Sequence, residues 1–386
     1  MDFGVNAEQK MLIDSLSKFC RNEVEPLVES FEKGNFKNPA EYKNILRQLQ
    51  PFGLCSGPAP EDRGGMGLDF QTTGMVMERL AQSYASLAGV CLIQLCAVKV
   101  LAGVENQSLS RRYLPALCAG EKIACVGITE PNVGSNPAFI ETTLTRASGG
   151  YRLNGTKTWI SNGSVSDVAL VIASVDRNLG GKGLVCVLLD REKTPYQTRE
   201  LGKLGLKGFP TSELVFEDIL VPEDHFAVAP GEGLKLTLKA FELARALLGL
   251  IGVGLSRAAI EVAGAYSRDR KQFGKPIASF QMIQQMISDM LTRTDAASFL
   301  CYRAMWLMDQ GIRCDAQSAM AKAYATEAAV ETTSEAVQIL GGYGLSEEYP
   351  TERLFRDARS LTIPDGTTQI QKLVVARDFL GVSAFA

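Results

Sequence analysis

Apolar positions recur at helical spacing in the first third of the chain, give way to short β-rich runs near residue 123, and return to helical spacing near residue 234. Leu12, Leu16 and Phe19 share one face of a helix expected over about residues 5–33, with Glu8 early in it. Residues 40–49 form a second helical stretch, ahead of the Pro- and Gly-rich loop PFGLCSGPAPEDRGGMG. Residues 71–103 are nearly all apolar, so that helix is expected to be buried on several sides. Then ACVGIT, YRLNGTKTWIS, VALVIAS, GLVCVLL and SELVFEDILV are short and rich in Val, Ile and Thr, with Asn-Gly turns at 154–155 and 162–163. They predict a mostly antiparallel sheet, and the lack of strand–helix alternation argues against a Rossmann sheet. Later, Ile283, Met286, Ile287, Met290 and Leu291 form an i, i+3, i+4 stripe of the kind that packs in a core. Helices near 234–270, 277–310, 315–340 and 367–380 make a bundle. The expected fold is mainly α with a central β domain: a helical domain over 1–122, a β domain over 123–233 and a helical bundle over 234–386.

Composition narrows the classes. Charged residues make up 22 % of the 386 positions and the net charge is −3, so no basic surface points to nucleic acid or an anionic membrane. The single histidine, His225, is too few for most histidine-based metal or triad schemes. Nine scattered cysteines show neither CxxC nor paired ligand spacing, so no metal site or disulfide framework is expected. With no signal-peptide pattern, free thiols fit a reducing, cytoplasmic setting. The longest wholly apolar run, around 246–255, is too short to span a bilayer, and a soluble protein is expected.

Four runs carry candidate chemistry. The stretch QILGGYGLSEEYPTERLFRDARSLTIPDGTTQIQ (338–371) breaks a helix at Gly341-Gly342 and later holds one carboxylate, Asp365, in a loop. Gly366, Thr367, Thr368 and Gln369 then open the last helix, whose free N–H groups suit a negative or electron-rich ligand. Locally this reads either as a backbone-lined pocket with a single base or as an ordinary capped surface loop. In VGITEPNVGSN (126–136), Thr129 and Ser135 can hydrogen-bond a planar heterocycle and Gly134 permits close backbone approach; a plain β-turn has the same letters. KTWISNG (157–163) offers Trp159 as an aromatic face followed by Ser161. SRDRKQFGKPIASFQ (267–281) sets Arg268, Arg270 and Lys271 ahead of Phe273-Gly274, which by itself suits a solvated basic helix end.

Together these runs resemble the acyl-CoA dehydrogenase family, and the likeness extends over essentially the whole chain, from the opening MDFGVNAEQ and YLPALCAGE (113–121) to the final Gly-Thr-x-Gln-Ile. The resemblance implies that Thr129 and Ser135 bond the isoalloxazine ring of FAD, with Trp159 beside it and Ser161 at N5. It implies that Arg270 contacts the dinucleotide's pyrophosphate, bidentate geometry being the reason for arginine. It also implies that this RxxFG motif, with Phe273, and the turn from Gln338 to Gly342 reach a neighbouring subunit's cofactor, hence a homo-oligomer, usually a tetramer. Thr367 and Gln369 keep the flavin-facing letters. FELAR (241–245) places Arg245 and Glu242 near the thioester, with Ser135 and Gly366 on the substrate side.

Asn136 stands where an aspartate is common in the family, and one letter departs within the C-terminal signature. Asp365 stands where most members carry the glutamate that takes the substrate's α-proton, and Ala244 occupies the alternative position for that base. The expected activity is dehydrogenation of an acyl thioester, on coenzyme A or an acyl carrier protein, with hydride passing to FAD and an electron-transfer flavoprotein as acceptor. The shorter acid leaves open oxidation at another position of a cyclic, branched or carrier-bound thioester with a different base. An oxidase and a non-catalytic flavin scaffold are the competing classes. Cys91, Gln94 and Leu95, on the helix that approaches the acyl end in the family, bring no charge, which favours a neutral acyl group.

Overall fold

The computed structural model describes residues 4–34, 38–104 and 106–385; the first three residues of the MDFGVNAEQ opening lie outside them. Helices α1 (Ala7–Phe19), α2 (Val28–Glu32), α3 (Pro39–Leu49), α4 (Phe70–Ala102) and α5 (Gln107–Cys118) come first. Local letters set their starts. Asn6 and Gln9 close a reciprocal capping box on α1, and Asn38 and Glu41 do so on α3, where Pro39 takes the first turn. Asp69 caps α4, and Asp309 from a later helix accepts the Phe70 and Gln71 N–H groups at 2.6 and 3.2 Å. The apolar run over 71–103 is interrupted at Tyr84 (φ −156°, ψ 104°), whose hydroxyl donates to Glu32 at 2.9 Å.

The sheet contains β1 (Ala124–Gly127), β2 (Thr143–Ala147), β3 (Gly150–Ser161), β4 (Val168–Ser174), β5 (Leu184–Asp190), β6 (Gln197–Glu200), β7 (Thr211–Val221) and β8 (Phe226–Val228). Its order is β6-β7-β3-β2-β4-β5-β8, with β1 also paired to β4. Most pairs are antiparallel as expected, but β1 and β2 run parallel to β4. One expected turn is not a turn: Asn154-Gly155 lies inside β3, where the register with β7 shifts between Leu153 and Gly155. Gly155 sits at φ 148° and a Cβ there would meet Thr142 at 2.5 Å, so glycine serves a bulge and a close strand approach. Asn162, at φ 62°, does turn the chain after β3.

The remaining elements are α6 (Gly233–Asp269), the hairpin β9 (Lys271–Gln272) and β10 (Lys275–Pro276), then α7 (Gln281–Asp309), α8 (Asp315–Leu340), α9 (Thr351–Leu361) and α10 (Thr368–Leu380). The helices before and after the sheet share one core, in which Leu80, Leu87 and Leu95 meet Leu243, Leu250 and Met305. Two helices, Phe70–Ala102 and Leu238–Asp269, are long and apolar enough to cross a membrane, and both are mostly buried in this core. The α7 stripe is only half inside: Met290 is buried, whereas Leu291 is 47 % exposed. Packing at the i+3 and i+4 positions therefore stops short of the outer edge of α7.

Candidate active site

The loop between α9 and α10 holds Asp365 at φ 54° and Gly366 at φ 91°. Aspartate is among the few non-glycine residues that tolerate this region. The conformation is held from below. Lys322 Nζ, on α8, donates to the Thr362 and Gly366 carbonyls, each at 2.9 Å. Gln371 Nε2 donates to the Asp365 and Gly366 carbonyls at 2.8 and 2.9 Å. A Cβ on Gly366 would come within 2.6 Å of that Gln371 nitrogen. Thr367 caps α10 through Ile370 N–H at 3.4 Å, and the Thr368 hydroxyl donates to Glu327 at 2.6 Å. Gln369 is exposed on the same turn.

Asp365 is half-buried as a residue, yet its carboxyl is crowded enough that desolvation raises its pKa, with Lys322 and then Arg245 pulling it back. Arg245 is 5 % exposed, lies over the Phe241 ring at 5.4 Å, and leaves its Nε without a partner among the described residues. Burial lowers Arg245, opposed by Asp315, Asp365 and Glu242. Glu242 is half-buried, and burial followed by the neighbouring Asp315 raises it. From α4, Cys96 feels Asp365 through space, after burial. Cys91, Gln94 and Leu95 are instead fully packed. Gln94 Nε2 donates to Leu117 and Lys122 carbonyls, and its Oε1 accepts Ala124 N–H at 2.9 Å, tying β1 to α4 rather than lining an open floor.

A second group lies on the β domain. The β3/β7 register shifts between Lys157 and Ile160, and Trp159 is turned out there, at φ 60° and 58 % exposed. Thr158 N–H donates to the Thr129 carbonyl at 2.9 Å, which joins the bulge to the loop after β1. Thr129 and Ser161 are half-buried and Ser135 is exposed. Beneath them, fully buried Lys157 donates to the Ile128 carbonyl at 2.9 Å and to Glu130 at 2.8 Å, and Glu130 accepts the Glu141 and Thr142 N–H groups. No motif in the sequence marks this pair, although Lys157 falls on the inward side of β3.

A third group lines a groove of about 730 Å³ that includes Arg270, Phe273, Phe280, Leu340, Gly342 and Tyr343. Phe273 and Gly274 are the two turn residues of the β9–β10 hairpin, both at positive φ (52° and 79°), and Phe273 is 93 % exposed. Gln338 is exposed near the end of α8 and is not part of the groove lining, nor is any of the β-domain positions. FAD fits these surfaces. A Cβ on Gly134, Gly341 or Gly342 would meet no atom within 4 Å, which leaves room for a ligand against the backbone. An outward aromatic face and nearby hydroxyls suit a heterocycle, and an exposed guanidinium suits a pyrophosphate. Among the described residues no group of His, Cys, Asp and Glu is arranged to hold a metal ion. His225 is buried with Nδ1 3.0 Å from the Leu188 carbonyl.

Comparison with known proteins gives three family matches along the chain: acyl-CoA dehydrogenase N-terminal domain over 6–121, middle domain over 125–219 and C-terminal domain over 231–380. Benzylmalonyl-CoA dehydrogenase of Aromatoleum aromaticum is 35 % identical over 382 residues, covering 98 % of this chain and 99 % of the relative. The structure of butyryl-CoA dehydrogenase from Megasphaera elsdenii superimposes with a TM-score of 0.94 at 30 % identity, covering 98 % of this chain and 100 % of the other. A chain solved in work on the electron transferring flavoprotein of Acidaminococcus fermentans gives the same TM-score, identity and coverage.

Proposed function

The chain belongs to the acyl-CoA dehydrogenase family, and we propose that Asp365 is the base with which it dehydrogenates an acyl thioester. The activity is flavin-dependent oxidation of a CH–CH bond next to a thioester carbonyl. The observation that carries the assignment of the base is the Asp365 loop, an ionisable carboxyl in a left-handed turn tied down on both sides and faced by Lys322 and Arg245. FAD, when bound, would supply the hydride acceptor, and Thr129, Ser135, Trp159, Ser161, Thr367 and Gln369 would hold it.

Asp365 takes the α-proton onto its carboxylate. Desolvation raises its proton affinity and so strengthens it as a base, while Lys322 and then Arg245 favour its ionised form. The Asp365 N–H polarises the thioester oxygen as negative charge grows there, and Gly366 lies on the substrate side of the loop. Glu242 and Arg245 position the thioester and the arm that bears it. Aspartate reaches about 1 Å less far than glutamate, a displacement that can cost on the order of 10²-fold if uncorrected, so the acyl group has to sit closer to the loop. A second reading, oxidation of an unusual acyl group at another position, is favoured by that same shortened reach.

Arg270, Phe273, Gln338 and Gly342 serve the cofactor of a second copy, in a homotetramer. An electron-transfer flavoprotein takes the electrons onward. All nine cysteines are unpaired, which supports a reducing, cytoplasmic setting.

The test is anaerobic titration of the purified protein with saturated, branched and cyclic acyl-CoA thioesters. The flavin band near ~450 nm is expected to bleach with one of them. Asp365→Asn is expected to slow that bleaching about 10²–10⁴-fold. Bleaching of Asp365→Asn at the parent rate would place the base elsewhere.

A further inference from the structure

We propose that Lys322 is a positioning residue for Asp365: its buried ammonium ties the base loop to α8 and supplies the positive charge against which the Asp365 carboxylate forms. The inference rests on reading Asp365 as the base. Lys322 has no solvent exposure and lies among Ala319, Ala325 and Ala329, buried small residues of the same helix. An alanine or methionine there would avoid the cost of desolvating an ammonium, so the charge calls for a use.

The contacts indicate that use. Two of the three N–H groups go to the Thr362 and Gly366 carbonyls, which bracket Asp365 along the chain. Among the described residues no carboxylate lies within ion-pair distance of Nζ, so the charge is solvated by carbonyl dipoles and not cancelled by contact. The charged groups that face it are Asp365 in the loop, Glu327 on α8 and Arg245 on α6. Glu327 already accepts the Thr368 hydroxyl. Burial pushes Lys322 down to about 8, against the pull of Asp365 and then Glu327.

A neutral donor could hold the same carbonyls. Only a cation also lowers the proton affinity of the base. Thioester oxidation should therefore have an acid limb set by Asp365, placed lower than burial alone would put it.

The test compares wild type, Lys322→Arg, Lys322→Gln and Lys322→Met in the flavin-loaded protein. The titration midpoint of Asp365 is read by ¹³C NMR of carboxyl-labelled aspartate, with Asp365→Asn to identify the signal. Lys322→Met and Lys322→Gln should raise the midpoint by about 1–3 pH units, and Lys322→Arg should shift it much less. The acid limb of anaerobic flavin reduction should move with it. An unchanged midpoint in Lys322→Gln and Lys322→Met, with rates lowered equally at every pH, would overturn the proposal and leave Lys322 a structural tie. If Lys322→Met fails to fold, the Gln and Arg variants decide the matter in the same titration. If Asp365→Asn retained activity, the reading of the base would fail, while the NMR midpoint would still report whether Lys322 acts on that carboxyl.

Discussion

Lys157 in the β domain and Lys322 in the helical bundle are both fully buried, and both hold a loop through backbone carbonyl groups, one for Lys157 and two for Lys322. They differ in how their charge is met. Lys157 touches the Glu130 carboxylate at 2.8 Å, and that carboxylate accepts two backbone N–H groups, so the pair closes on itself. Lys322 touches only carbonyls, and its field extends to Asp365. A self-contained ion pair can fix the loop that carries Thr129 without disturbing anything around it. An unpaired cation can fix a loop and tune an acid at once. The same residue type thus pins the Thr129 loop in one place and faces the Asp365 carboxyl in the other.

Breaking the closed pair should have the largest effect on stability. Glu130→Gln leaves the Lys157 ammonium buried without an anion, and about 3–5 kcal/mol of unfolding free energy should be lost in chemical denaturation. Replacing both partners with apolar residues, Lys157→Met with Glu130→Leu, should recover most of that. Lys322→Met should cost less, about 1–3 kcal/mol for two charge-assisted hydrogen bonds, because the Gly366 and Thr362 carbonyls keep Gln371 and the Thr368 N–H as second donors. If the two single variants lost equal stability, the contrast would collapse.

A pH series sharpens it. Lys322 titrates at about 8 in the fold and near ~10.4 when unfolded, so between those values the unfolded chain holds more protons. Its contribution to stability therefore rises with pH across that window and is lost as pH falls through about 8, with a slope of up to about 1.4 kcal/mol per pH unit. Lys322→Met should flatten the wild-type stability curve between pH 8 and 9.5, which denaturation at four or five pH values would show. The smallest effect is expected from Gly366→Ala. Its strained φ costs about 1–2 kcal/mol, and its Cβ would dislodge Gln371. A measured loss near zero would mean that the loop is held by Lys322 alone.

The order of helical, β and helical regions was legible because hydrophobic period changes with element type, and it changes sharply near residues 123 and 233. Asp365, Trp159 and Arg270 stand out in the sequence because each sits in a run of unusual letters, and the structure shows each at an unusual place: a left-handed turn, an outward-facing bulge and the lining of a groove. The two buried lysines were not. Within the small-residue helix α8, Lys322 reads as a solvated charge unless its register with Ala319 and Ala329 is followed. Lys157 is marked only by strand alternation, and bulges in β3 break that alternation on either side of it. Asn154-Gly155 misled for a related reason: its letters permit a tight turn, but tertiary pairing with β7 used the glycine's freedom for a bulge. Gln94 likewise lies on the expected helix but spends its amide on backbone groups at a domain junction, which no local pattern reveals.

The bulge that turns Trp159 outward also equips the protein with an optical gauge. The chain has two tryptophans, and Trp306 is half-buried in α7 while Trp159 presents 58 % of its surface. Emission from the flavin-free protein should therefore be dominated at long wavelength by one water-exposed indole. Adding FAD should quench and blue-shift that component, and Trp159→Phe should remove the response. Cofactor loading could then be followed by light alone, in a sample that has never met a thioester.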